Sequence, residues 1–411
     1  MHPEPAARAA VQVLAISDTD SYLKWSAATL DALPRSWASS QVLITNPALP
    51  SAAQIWAASS RPVEVLSHAG VRQRIRRQCP DVVLLACTGP VVAALTAQRV
   101  LWGRNRPVLV TGLPGISVPA SYRAVMARAA CDLFLLHSKR EVAEFGEVAA
   151  RCAPRLAFGL ASLPFLPNRP PSAVVNSALG HHLVFGAQAK VPPERTDREQ
   201  ILLALADAGS AVVKLRAWSE ENQTHSETWS YPAIMADLVA QQLVAEGAVA
   251  FIGGPMREAL RTARAFVTVS STAALEAIAM DRPILIISDF GVSAEMINLV
   301  FEGSGCLGTL DDLRSDRFFR PDPRWLEANY FHHADENDWR ERLGELLALR
   351  AAGQLPGRPP VSASLRQRVR RRVRLIIPAR LWPHLRRLGI NQPVRLGRRN
   401  NLSANGSASV Q

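Results

Sequence analysis

At 411 residues, 48% apolar and 20% charged, the chain is long enough for two domains with separate cores, and no apolar run approaches the roughly 18–20 residues that cross a bilayer. Its five cysteines (Cys79, Cys87, Cys131, Cys152, Cys306) are odd in number, scattered and free of any C-x-x-C pair, which argues against a disulfide framework or zinc site and for a reducing cytoplasm. The net charge of +12 is local: twelve arginines lie between Arg366 and Arg399, and 47 basic residues less these twelve leaves 35 against 35 acidic ones.

In chain order, MHPEPAARAA carries an acidic residue and a proline, and the apolar VQVLAIS after it is too short for a signal-peptide core. Short apolar runs then alternate with helix-length segments. They predict strands at Val11–Ser17, Gln41–Ile44, Val63–Leu66, Asp81–Ala86, Pro107–Thr111 and Asp132–Leu136. Residues 156–180 are Pro-rich without helical period and read as a linker between a first domain (1–155) and a second (181–353). The second domain is predicted to hold strands at His182–Gly186, Ala211–Leu215, Val249–Ile252, Ala265–Val269 and Ile284–Ile287, a weaker extended piece near Cys306–Gly308, and a helix over Asp338–Leu349. Residues 354–411 form a basic tail. The pattern is α/β: two Rossmann-like domains facing across a cleft.

Ligands in such sheets bind beyond the carboxyl ends of the strands, which directs attention to the following loops. After the first strand, Asp18 and Asp20 offer a general base for a hydroxyl, or a helix cap. Gly112 and Gly115 sit in a G-x-P-G turn that permits close backbone approach to a ligand. His137, at the end of its strand, has a titration range suited to acid–base work, or is structural. Lys214 and Arg216 point to one face of their strand and, with His225 in the next loop, are either phosphate-neutralising groups or edge charges. Ser270-Ser271-Thr272 is a hydroxyl cluster at a strand–helix turn, suited to capping and to facing an anion. Glu276, one turn on, suits a ribose diol or is a solvated helix residue. Asp289, followed by Phe290 and Gly291, is placed to cover a bound sugar. The only D-x-D is Asp18-Thr19-Asp20, outside the strand context of a metal-dependent glycosyltransferase site, so no metal or other cofactor is expected.

The stretch VTVSSTAALEAIAMDRPILIIS (267–288) resembles the donor-binding half of GT-B glycosyltransferases, and TGLPG followed by CDLFLLHSKRE resembles an uncharacterised bacterial family labelled as putative glycosyltransferases. The GT-B resemblance implies a turn at Gly186 and Gln188 near the donor phosphates or the acceptor, and a base-binding rim at Gly253 and Gly254. More distantly the chain is similar to CDP-glycerol transferases and bacterial sialyltransferases, but Leu215-Arg216 replaces their His-Pro pair. The implied activity is metal-independent, inverting transfer from a nucleotide-sugar donor to a glycan or lipid-linked acceptor. A polyol-phosphate transferase or a non-hydrolysing sugar-nucleotide epimerase shares the fold, and a non-catalytic nucleotide- or surface-binding module is the alternative from another class. Arginines interleaved with Val369, Ile376, Leu381 and Trp382 fit an anionic membrane surface, which would make the protein cytoplasmic or peripheral on the inner face of the membrane. A solvated tail and nonspecific nucleic-acid contact are the other readings; no specific nucleic acid is expected.

Overall fold

The computed structural model describes residues 10–46, 49–103, 105–166, 180–215 and 228–356. Arg216, His225 and the basic tail lie outside the described residues.

The first sheet contains β1 (Gln12–Ser17), β2 (Ala38–Ile44), β3 (Val63–Leu66), β4 (Val82–Ala86), β5 (Val108–Gly112), β6 (Leu133–Leu136) and β7 (Ala157–Leu160). All pair in parallel, in the order β3-β2-β1-β4-β5-β6-β7. The second contains β8 (His182–Gly186), β9 (Ala211–Lys214), β10 (Val249–Ile252), β11 (Ala263–Thr268), β12 (Ile284–Ile287) and β13 (Leu307–Gly308), again parallel, in the order β10-β9-β8-β11-β12-β13. Period-two side-chain alternation lets each strand feed two cores. Leu14 and Ile16 pack on one face of the first sheet and Val13 and Ala15 on the other, while Leu285 and Ile287 oppose Ile284 and Ile286 in the second.

Two features depart from the organisation read along the chain. Strand β7 falls within the stretch taken as linker; it pairs with β6 over Leu133–Leu136 and extends the first sheet to Leu160. The last helix, Trp339–Ala351, falls within the second domain as read along the chain yet packs on the first sheet, where Trp339, Leu343 and Leu355 join the core of Val13 and Val108. Gly159 permits this approach, because a Cβ there would lie 2.8 Å from Trp339 Cβ. Polar contacts fix the crossing. The Leu160 N–H donates to Asp338 Oδ1 at 2.7 Å, and Arg350 pairs with Asp81 at 2.6 Å. A further apolar cluster carries Val118, Leu163 and Leu166 from the first half together with Phe266, Trp325 and Tyr330 from the second. The two sheets are therefore joined by packing as well as by the chain.

Candidate functional site

Each sheet reverses its strand order at one place, between β1 and β4 in the first and between β8 and β11 in the second. Loops leaving neighbouring strands in opposite directions open a crevice there, the usual ligand position in open α/β sheets.

In the second sheet the crevice is lined by the loop after β8 and the turn after β11. Ser270 Oγ lies 2.6 Å from Gln188 Oε1, bridging the two. Thr268 Oγ1 donates to the Gly186 carbonyl at 2.9 Å and accepts from the Ser271 N–H at 3.2 Å, while Ser271 Oγ accepts from the Ala273 N–H at 3.2 Å. The capping expected of the hydroxyl cluster is thus done by Ser271, and Thr272 makes no side-chain cap. Gly186 is required by packing: a Cβ would lie 2.5 Å from the Phe266 ring. A buried arginine that sequence inspection missed, Arg198, holds the outer part of the same loop by donating to the carbonyls of Ala189 at 2.9 Å and Pro192 at 2.9 Å. Its signal was weak, an arginine on the amphipathic helix Arg195–Ala208 that looks solvated until the loop folds over it.

Other second-domain candidates have local structural work. Lys214 is buried at the end of β9 and its ammonium donates to the Leu215 carbonyl, so within the described residues it does not point out of the sheet as an edge charge. Gly253 and Gly254 follow β10, and Gly254 has φ of +80°, a conformation that favours glycine. Asp289 is exposed, and its Oδ2 accepts from the Leu310 N–H at 2.9 Å, tying the loop after β12 to the next helix. The loop is further stapled by buried Asn298, which bonds the Gly291 carbonyl at 3.0 Å and the Ser293 N–H at 3.0 Å. These bonds hold the Gly291 turn to the segment around Asn298.

In the first sheet, Asp18 is 2% exposed and its carboxylate accepts from the Thr88 N–H at 3.0 and 3.1 Å and from Thr88 Oγ1 at 2.5 Å. Burial pushes its carboxyl up to about 6, against the pull of Thr88 and of the Arg128 charge. This is a clamp across the switch point between β1 and β4. The helix cap expected of Asp18 or Asp20 is supplied by Thr19, whose Oγ1 accepts from the Tyr22 N–H at 3.4 Å. Asp20 is half-buried and opens the helix Asp20–Asp31, with Lys24 exposed one turn along the same face.

His137 is 1% exposed. Its Nδ1 donates to the Ala161 carbonyl at 2.8 Å, and its Nε2 accepts from Trp25 Nε1 at 2.8 Å and lies 3.0 Å from the Leu113 carbonyl. Burial pushes the imidazole down to about 4. It is a neutral clasp among three segments, with no ring nitrogen left toward the cleft. Gly112 is likewise buried, and a Cβ there would lie 2.2 Å from the Trp25 ring. Gly115 faces outward instead: its Cβ position lies 3.5 Å from Thr272 Oγ1 of the second domain.

The two crevices therefore face each other, with the Gly115 loop against the hydroxyl turn. On the same opening Glu276 is partly buried, which raises its carboxyl above the ordinary value, and the charges of Lys24 from the first domain and Arg257 from the second pull it back. Lys24 Nζ also stands 5.9 Å from the Phe165 ring centroid. The structure brings together Ser270, Ser271, Thr272, Gln188, Glu276, Gly115 and Lys24, and it turns Asp18, His137 and Gly112 inward. Among the described residues, no group of three His, Cys, Asp or Glu side chains is placed to hold a metal ion.

Residues 13–346 match the sequence family described as "Putative glycosyltransferase (DUF6716)". No curated protein matches the chain at significant similarity. Among solved structures, the fold is similar to that of a protein from Listeria monocytogenes described as a putative UDP-N-acetylglucosamine 2-epimerase, with TM-score 0.51 and 12% identity over 85% of this chain and 98% of that one. It is similar to the same degree to Arabidopsis thaliana UGT89C1, with TM-score 0.51 and 13% identity over 82% of this chain and 99% of that one. At such identities the likeness is one of fold.

Proposed function

We propose, because this chain belongs to the "Putative glycosyltransferase" family DUF6716, that its cleft transfers a sugar from a nucleotide-activated donor to a glycan or lipid-linked acceptor. The fold is GT-B: two Rossmann-like domains with their switch points turned toward one another. The observation that carries the donor site is the Ser270–Gln188 bridge, which places a hydroxyl-rich turn at the second switch point and opposite Gly115.

The donor diphosphate lies on the Ser270–Thr272 turn, where hydroxyls and backbone N–H groups stabilise the charge that develops on the leaving group. Glu276 takes the ribose diol, and Gly253 and Gly254 border the base. Lys24 neutralises phosphate from the opposite lip, a duty that Lys214, bonded to its own strand end, is less well placed to perform. Asp20 accepts the proton of the attacking hydroxyl, since Asp18 is committed to Thr88 and His137 to Trp25 and Ala161. A single displacement of this kind inverts the anomeric centre. The reaction is read as metal-independent because the only D-x-D of the chain has its first carboxylate committed to Thr88.

A thermal-shift panel of UDP, CDP, GDP, dTDP and CMP sugars against the bare nucleosides tests the reading. A nucleotide at about 100 times its Kd adds roughly 2.7 kcal/mol of stability. One nucleotide series should raise the Tm while its nucleoside raises it less. Failure of every series to do so would end the donor-site reading, and isomerised donor formed without acceptor would replace transfer by epimerisation.

A further inference from the structure

A buried carboxylate outside the site described above joins the domains. Glu141 lies in the first turn of the helix Lys139–Cys152 and is fully buried, with its own N–H held by Ser138 Oγ at 3.0 Å. Its Oε2 accepts from the His137 N–H at 2.8 Å. Its Oε1 accepts from the Ser117 N–H at 2.8 Å and from the Tyr330 hydroxyl at 2.6 Å. Tyr330 is 2% exposed and belongs to the apolar cluster shared with Phe266 and Trp325 of the second domain. One carboxylate thus receives a strand end, a cleft loop and a side chain from the other half of the molecule.

The same helix end makes further contacts with second-half residues. Lys139 pairs with Glu336 at 2.6 Å and Glu327 at 3.1 Å, and Arg140 Nη1 approaches the Val300 carbonyl at 3.4 Å. On the other side, the loop that begins at Gly112 is pinned three times. Ser117 Oγ donates to the Gly115 carbonyl at 3.1 Å, Glu141 takes the Ser117 N–H, and Glu144 takes the Ala120 N–H at 3.0 Å. Gly115, within that loop, stands against Thr272. A buried carboxyl that lost one of these donors would be left with an unsatisfied acceptor out of reach of water, so its three donors are held as a unit.

We propose that Glu141 is a positioning residue that locks the loop from Gly112 to Ala120 to the second domain through Tyr330, and so holds the acceptor-side lip in register with the Ser270–Thr272 turn. Its importance for catalysis rests on the sugar-transfer reading of the cleft. The lock itself does not.

Hydrogen–deuterium exchange on the ligand-free full chain tests it with Tyr330→Phe, which removes one hydroxyl, and Glu141→Gln, which keeps one acceptor. Exchange over residues 113–121 is expected to rise at least about tenfold in both variants, and to rise also over 269–276 in the other domain, while β1, β4 and β8 keep wild-type protection. The double variant should add little to either single one, because the groups act together. Unchanged exchange over 113–121, a change that stops short of 269–276, or an even rise through both domains would each overturn the lock. A wild-type protein that binds no nucleotide would defeat the proposed function and leave this result standing.

Discussion

At the residue scale, two carboxylates separated by one position have opposite fates. Asp18 is taken by Thr88, seventy positions away, whereas Asp20 stays half-buried at the start of its helix. Asp18→Asn should therefore cost stability, on the order of 2 kcal/mol for a damaged buried hydrogen-bond set, read as a lower denaturation midpoint. Asp20→Asn should leave that midpoint unchanged, keep nucleotide affinity within about twofold and lower kcat by at least the roughly hundredfold ascribed to a positioned general base. Normal turnover in Asp20→Asn would remove it from the mechanism. The local sequence could not separate the pair, because the partner that commits Asp18 is distant along the chain. His137 was visible as a strand-end histidine, but Trp25 and Ala161, which occupy both its nitrogens, were not.

Glu141 gives the same scale a pH signature. Its carboxyl is raised by burial from 4.5 to about 7, so between those values the folded protein keeps a proton that the unfolded chain has released. Stability from this group is present at low pH and falls as pH rises through the window. His137, lowered from 6.5 to about 4, contributes an opposite slope that is already half spent at pH 6.5, and Asp18, raised to about 6, is mostly ionised by then. Among these three, Glu141 dominates the slope just above pH 6.5. The Tm of the wild-type protein should accordingly decline from about pH 6.5 to 8 more steeply than that of Glu141→Gln; parallel curves would contradict the assignment.

At the scale of elements, two glycines in one turn separate packing from access. A methyl at Gly112 would enter the Trp25 ring, so Gly112→Ala should destabilise by about 1–3 kcal/mol through overpacking. At Gly115 the added methyl meets Thr272 at ordinary van der Waals distance, so Gly115→Ala should keep the Tm and affect only nucleotide affinity. Calorimetric unfolding of both variants checks the contrast. The strands that carry these loops were largely legible: β3, β8, β10 and β12 begin and end where the apolar runs do. Strand β7 was not, because AFGL is four residues with a glycine, preceded by Pro154, and it becomes a strand only by pairing with β6 under Trp339. Nor did the amphipathic pattern of the last helix say which sheet it would cover. That depended on Gly159, Asp338 and the Arg350–Asp81 pair.

At the scale of the whole molecule, no described helix is long and apolar enough to cross a membrane. The described part ends at Pro356, whose carbonyl accepts from Arg106 at 2.9 Å beside buried Leu355. A chain cut after Leu365 keeps both anchors and should fold with an unchanged Tm. It also loses the whole positive excess carried by Arg366 to Arg399. If the tail docks on anionic lipid, full-length protein should sediment with anionic vesicles and release as the Debye length shortens from about 10 Å at 0.1 M salt to about 3 Å at 1 M. Equal sedimentation of the two chains would remove the membrane partner, and tight binding to RNA or DNA at physiological salt would replace it.

A crystal structure with UDP, or with whichever nucleoside diphosphate raises the Tm most, tests most directly where the phosphate sits. The expected result is a diphosphate within about 3 Å of the hydroxyl or backbone donors of Ser270, Ser271 or Thr272, with Glu276 on the ribose and Gly115 closing the opposite side. A nucleotide bound at another place, or none at all in the crevice between β8 and β11, would contradict it.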